Sequence, residues 1–349
     1  MNRLKSILSR RARQILKHWL DVLLVEIYSR IHRGVLLKSI ENGLPLPQTL
    51  HIEGTNICNA QCLFCAYTKM QRRKQTMPME QFRRIVDEYL DLGGRRVSLT
   101  PIVGDPMVDP FLFERLDYLS SRAEVQSISF YTNAILMTPP VSARLVGYDE
   151  KLTVNVSWGG FKRLTYQRLM GVDRLDTVYE NVAAFVEHKR RSASGVGLVV
   201  AVRCPPSECV GRLWDSLLAF GHENLLGFTT VDEFDSWAGK VSAEQLLSAG
   251  LMPRDTPYKK GACELLLSKP VVLADGLVNA CACRDVEAEL IIGNLKESSF
   301  AELWAGQHIK GLIERHESGD FPDVCRRCTY YVSVYNRRKS SVLKTLKEV

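Results

Sequence analysis

Hydrophobic and polar positions change rhythm twice along this chain. Residues 3–33 contain neither Pro nor Gly and read as one long helix. Leu4, Leu8, Ile15, Trp19 and Val22 share one side, Arg3, Arg10, Arg13 and Lys17 face away, and Arg11 interrupts the apolar stripe. Asn42-Gly43, with Pro45 and Pro47 behind it, closes this segment. From residue 49 short β-branched runs alternate with amphipathic stretches of helix length. The pattern predicts strands at 49–53, 96–100, 126–131, 152–157, 196–203 and 225–231. Helices are predicted between them at 79–92, 110–121, 140–147, 174–191 and 208–220. Strands separated by crossover helices make a parallel sheet. The expected fold is therefore α/β, a curved partial (β/α)6 TIM-like barrel, with chemistry at the C-terminal ends of its strands. Past about residue 255 the alternation stops. Segment 270–282 reads as a hairpin around Asp275-Gly276, and a helix near 298–316 precedes a basic tail with Arg337, Arg338 and Lys339. The predicted organisation is a basic helical segment (1–47), the barrel (48–240), a small cysteine-rich α+β extension (255–335) and the tail (336–349).

Composition narrows the class. With 349 residues, 46% hydrophobic and 24% charged, the chain can bury a large core and suits one large domain plus a smaller one. No stretch has the length and apolarity of a membrane span, and no secretory signal follows the basic N-terminus, so a cytoplasmic protein is expected. In that compartment clustered cysteines serve as metal ligands rather than disulfides. The net charge of +7 sits in residues 1–40, where nine Lys/Arg face only Asp21 and Glu26. A nucleic-acid-binding protein would instead spread basic charge over a folded face, so nucleic acid is not an expected partner. Two roles stay open for residues 1–33: a helix packed on the body with a solvated basic face, or peripheral contact with an anionic membrane.

The ten cysteines fall into groups. Cys58, Cys62 and Cys65 form CxxxCxxC directly after the first predicted strand, where a barrel places its active site. Three thiolates suit an iron–sulfur cubane with one iron open, whereas structural zinc wants four ligands. His51 could supply a fourth but lies within a strand and reads as a packed histidine. Cys263, Cys281, Cys325 and Cys328 have the shape of a complete four-ligand set, for which zinc or a cluster would serve. Cys283 is left over, and Cys204 and Cys209 read as ordinary residues near the barrel mouth, Cys204 within reach of substrate.

Cys58, Cys62, Phe64 and Cys65 match the CxxxCxΦC signature of the radical S-adenosylmethionine (SAM) superfamily, which the chain resembles over roughly residues 48–235. Glu53-Gly-Thr55-Asn56 is similar to that family's strand exit. Val103-Gly104-Asp105-Pro106 resembles its GGEP motif with Val for Gly and Asp for Glu, Tyr131-Thr132-Asn133 its TNG segment, and Ser157-Trp158-Gly159-Gly160 its SLDG segment. The resemblance implies SAM bound to the open iron of a [4Fe–4S] cluster, reductive cleavage to a 5′-deoxyadenosyl radical, and hydrogen abstraction from substrate. Phe64, Gly104, Asp105, Asn133, Ser157 and Arg203 become the candidate SAM contacts, Arg203 because a guanidinium fork suits a carboxylate. A reductant such as flavodoxin or ferredoxin is the implied electron source. The run from Gly276 through Cys281, Asp285, Ile292-Gly293-Asn294-Leu295 and Glu302-Leu303-Trp304 resembles the SPASM and Twitch extensions. Because Cys328 is the last cysteine, that resemblance implies one auxiliary [4Fe–4S] cluster. The expected activity is a SAM-cleaving oxidoreductase acting on a small polar substrate, carbohydrate- or cyclitol-like or lipid-linked, with the auxiliary cluster accepting an electron. Modification of a ribosomally made peptide, an epimerase or skeleton-modifying reaction, and a non-catalytic metal-binding scaffold are the alternatives. No general base stands out; Tyr131, Asp232 and Glu233 are the candidates at the mouth.

Overall fold

A computed structural model describes residues 10–340. Six parallel strands form the barrel wall: β1 (Leu50–Ile52), β2 (Arg96–Ser98), β3 (Ser127–Thr132), β4 (Leu152–Trp158), β5 (Gly197–Val202) and β6 (Gly227–Thr230). They occupy the places the alternation predicts. Their two-residue period sorts side chains between wall and interior. In β4, Leu152, Val154, Val156 and Trp158 are buried while Thr153, Asn155 and Ser157 on the other face are half-buried. In β3, Ile128 and Phe130 are buried against the helical layer, and Ser129 lines the interior.

The crossover helices are α2 (Met79–Asp91), α3 (Leu112–Ser121), α4 (Pro139–Leu145), α5 (Arg163–Met170), α6 (Leu175–Ser192) and α7 (Arg212–His222), preceded by the N-terminal α1 (Arg10–Asn42). On α2 the buried Met79, Phe82, Ile85, Val86 and Tyr89 recur at three- and four-residue steps, which gives one apolar stripe against the sheet. Four elements depart from expectation. Helix α1 continues to Asn42 instead of stopping near residue 33, because Leu36 and Ile40 pack into the core; the part of the predicted helix before Arg10 lies outside the described residues. The 140–147 helix ends at Leu145 and passes into a 3-10 turn over Val146–Lys151. Helix α5 was not expected and closes the loop after β4. The single helix expected at 298–316 is two, α10 (Phe300–Ala305) and α11 (Gln307–Ser318), broken where Gly306 adopts extended backbone.

The C-terminal part does not stand apart from the barrel. Strands β7 (Val271–Val272), β8 (Leu277–Asn279) and β9 (Ile291–Asn294) continue the same sheet, in the order β6-β5-β4-β3-β2-β1-β7-β8-β9. The predicted hairpin at Asp275-Gly276 forms, and β7 pairs in parallel with β1, His51 opposite Val271. Short helices α8 (Ala243–Ser248), α9 (Glu264–Ser268) and α12 (Asp323–Arg327) carry the links toward and within this region.

Candidate active site

The loop leaving β1 is clamped from three sides. Glu53, fully buried, receives both arms of Arg72, Nη1 to Oε1 at 3.0 Å and Nη2 to Oε2 at 2.8 Å. Asn56 holds the returning chain, donating to the Arg73 carbonyl (2.9 Å) and accepting from the Gln75 amide (2.8 Å). Gln61 and Leu63 donate their amides to the Met170 and Leu169 carbonyls at the end of α5. Gly171 stands at that contact with φ +71°, and a Cβ there would lie 2.3 Å from the Gln61 carbonyl oxygen. Such a close approach accepts only glycine.

This clamping presents Cys58, Cys62 and Cys65 to a cavity of about 1050 Å³ at the C-terminal ends of the strands. Phe64, Gly104, Asp105, Asn133, Ser157 and Arg203 all line the same cavity, as do Tyr131, Asp232 and Glu233. The volume stands at the upper end of the range of small-molecule and cofactor pockets. His51, packed within β1, also lines it. Burial, with Lys269 nearby, lowers its pKa to about 4.

Each sequence-predicted contact has a distinct task. Gly104 (φ +135°) passes so close to Thr55 and Asn56 that a Cβ would meet their backbone at 2.9–3.0 Å. The Asp105 carboxylate is already engaged: it accepts from Met107 N (2.9 Å), Asn133 N (2.7 Å) and Thr132 Oγ1 (2.9 Å). It therefore ties the second and third strand ends together at the cavity wall. Asn133 Nδ2 donates to Asn59 Oδ1 (2.6 Å) beside the Cys58 sulfur. Arg203 donates from Nε to Ser157 Oγ (3.2 Å), and its guanidinium lies over Phe64 (5.6 Å) and Tyr131 (5.9 Å). Among the described residues it has no carboxylate partner within ion-pair distance.

The donor set fits an iron–sulfur cluster. All ten cysteines are free. Burial pushes the Cys58 thiol up to about 12 and raises Cys62 and Cys65 as well, so these thiolates need a cationic centre to form. The buried Tyr166 hydroxyl has no hydrogen-bond partner among the described residues, and its pKa is raised by burial and by the nearby Cys62 and Asp105. No three His, Cys, Asp or Glu side chains among the described residues converge as a single metal ion requires.

Cys263, Cys281, Cys325 and Cys328 line a second, smaller chamber with His316, Leu265, Leu290 and Tyr331. Cys283 is not among them and faces the first cavity. Cys204 is buried away from both, 4.0 Å from Cys209 between sulfurs, so it does not approach a substrate in the cavity. Arg284 borders both chambers. It pairs with Asp235 (2.6 Å), donates to the Cys283 carbonyl (2.6 Å) and lies between the rings of Trp237 (4.5 Å) and Tyr330 (4.2 Å). Trp237 in turn donates to the Phe64 carbonyl at 2.8 Å, linking this wall to the first cysteine loop. The sequence reading missed Arg284, Asp235, Trp237 and Tyr330, since none belongs to a motif or a periodic run.

Comparisons with known proteins agree with this geometry. The family model of the radical SAM superfamily matches residues 52–201, and that of the SPASM iron-sulfur cluster-binding domain matches residues 263–329. Mycofactocin maturase MftC of Mycobacterium tuberculosis (strain ATCC 25618 / H37Rv) is 28% identical over 159 residues, which is 43% of this chain and 38% of the relative. The match thus spans well under half of that protein. Among solved structures, SuiB of Streptococcus suis bound to its precursor peptide SuiA superposes with TM-score 0.59 at 16% identity, over 81% of this chain and 70% of SuiB. BtrN in complex with AdoMet and 2-DOIA gives TM-score 0.53 at 16% identity, over 82% of this chain and 99% of BtrN. These likenesses establish the partial-barrel fold. No helix among the described residues is long and apolar enough to cross a membrane. Two family models match, one over the barrel and one over the region whose three strands extend its sheet to nine: the chain belongs to the radical SAM superfamily and carries a SPASM iron–sulfur cluster-binding domain.

Proposed function

We propose that Cys58, Cys62 and Cys65 hold the SAM-binding [4Fe–4S] cluster, that Arg203 pairs with the SAM carboxylate, and that Cys263, Cys281, Cys325 and Cys328 hold one auxiliary [4Fe–4S] cluster. Family membership brings these cofactors; their assignment to particular residues rests on placement. The observation that carries it is the convergence of the three thiols and Arg203 on one cavity, with the four-thiol chamber directly behind Arg284. When bound, the cofactors supply one-electron cleavage of SAM, removal of a substrate hydrogen atom by the 5′-deoxyadenosyl radical, and a sink for one further electron.

The chain's own groups arrange that chemistry. Asp105 fixes the strand ends on which Gly104 and Asn133 sit. Arg203, shielded by Phe64 and held by Ser157, presents an unpaired cation beside Cys62 and Cys65. The Trp237–Arg284–Tyr330 stack stands in the wall of the first cavity, and its Arg284 also borders the four-thiol chamber. A substrate that loses a hydrogen atom and then a proton and an electron is oxidised overall, and the proton would pass to a group lining the cavity.

For the substrate, a ribosomally made peptide is now the better-supported reading, ahead of the carbohydrate or cyclitol reading. It is supported by the likeness to a maturase and to an enzyme solved with its precursor peptide. The test uses anaerobically reconstituted protein with dithionite and SAM. Release of 5′-deoxyadenosine is expected, and its absence with both clusters intact would refute the enzymatic reading. Deuterium transfer into 5′-deoxyadenosine from a deuterated peptide is expected; transfer from cyclitols but from no peptide tried would overturn the peptide reading.

A further inference from the structure

Helix α1 is apolar on two opposite faces. One face turns inward, where Val25, Ser29, His32, Leu36 and Ile40 are buried on the body. On the other side Leu16, Trp19, Leu20, Leu23, Ile27 and Ile31 recur at helical spacing and are all exposed, by 41 to 65%. At 1.5 Å per residue this outer stripe runs for about 22 Å. A soluble helix that packs by one face carries polar residues on the other. A contiguous exposed apolar stripe of this length marks a surface that meets something.

Charge identifies what it meets. Residues 1–40 contain nine Lys/Arg and two acids. Both acids are occupied by the body: Asp21 pairs with Arg338 at 2.9 Å, and Glu26 with Tyr258 and with Lys260 at 3.9 Å. Among the described side chains, the solvent side of residues 16–33 therefore offers apolar groups and the exposed cation of Arg30 with no free carboxylate, while Arg33 pairs with Glu317 at 3.5 Å. A second copy docking here would set +7 against +7, which opposes association. An anionic bilayer surface matches both features, since acyl chains receive the stripe, headgroups receive the cations, and Trp favours that boundary. We propose that α1 is a peripheral membrane-docking helix that lays Leu16–Ile31 into an anionic lipid surface without crossing it.

The test uses the full-length cluster-loaded protein and sedimentation with vesicles of phosphatidylglycerol and phosphatidylcholine, or of phosphatidylcholine alone. Binding is expected with phosphatidylglycerol and should weaken as salt rises. The pair Leu23→Gln and Ile27→Gln should weaken it by about tenfold or more, because both side chains leave the acyl boundary. The helix's inner face is untouched, so circular dichroism and SAM cleavage of the variant should match wild type. Failure of the wild-type protein to bind vesicles overturns the proposal. So does equal binding by the variant, or a concentration-dependent dimer in sedimentation velocity that the same pair abolishes.

Discussion

Replacing Arg203 with Met should separate ligand recognition from folding. In the free protein this guanidinium has one modest hydrogen bond, to Ser157 at 3.2 Å, and lies over Phe64 at 5.6 Å. Burial lowers its pKa, the sign of a cation held without a full counter-charge. The nearby Cys62 and Cys65 thiols are raised by burial, so without iron they are neutral and offer no anion. Removing the charge then forfeits a cation–π contact of about 0.5–1 kcal/mol and relieves a larger desolvation cost. The metal-free protein should therefore lose no more than about 1 kcal/mol and can gain stability. SAM binding should respond differently, because a carboxylate would lose its charged partner. A loss of about 3 kcal/mol corresponds to roughly hundredfold weaker binding. Arg203→Lys keeps the charge without the fork and should fall between. Anaerobic equilibrium dialysis with labelled SAM on reconstituted protein, set beside urea unfolding of the metal-free form, reads both quantities. A SAM Kd within about threefold of wild type would refute the reasoning, as would a metal-free variant destabilised by more than about 2 kcal/mol.

Other groups give sharper local outcomes. Asp105→Ala orphans three buried donors and should cost about 3–5 kcal/mol in urea unfolding, while Asp105→Asn, which keeps one acceptor oxygen, should cost about 1–2 kcal/mol; a loss under about 1 kcal/mol for Ala would contradict the tethering role. Cys283→Ala should leave about eight irons per chain and Cys325→Ala about four, as read by iron assay and Mössbauer spectra. Zinc in the second site, or equal iron loss in both variants, would overturn the ligand assignment. His51 is held neutral, with a folded pKa of about 4, so the unfolded chain takes up its proton first as pH falls. Stability should drop from pH 6.5 to pH 4 by about 2 kcal/mol more in wild type than in His51→Gln, and parallel urea midpoints across that range would refute it.

How far the sequence could be read depends on whether a feature is local or assembled. All six barrel strands were legible because each is a short β-branched run whose period is set by its own residues, as in Leu152–Trp158. The cysteine loop was legible for a related reason: three thiols within eight residues must share one turn. The outer stripe of α1 was legible only in part: Trp19 shares its exposed face with Leu16, Leu20, Leu23, Ile27 and Ile31, while the body takes Val25, Leu36 and Ile40. A helix apolar on two faces has no single moment to read. The tether made by the Asp105 carboxylate was not legible, because nothing local says that Thr132 and Asn133, 27 and 28 residues on, will donate to it. Cys281 and Cys283 are two residues apart, yet one faces the second chamber and the other the first. Spacing alone makes them interchangeable; in the fold Cys283 lines the first cavity beside Arg284, which Asp235, Trp237 and Tyr330 anchor from separate segments. The identity of the thiols is thus a property of the sequence, whereas their division between two chambers is a property of a wall that only the folded chain builds.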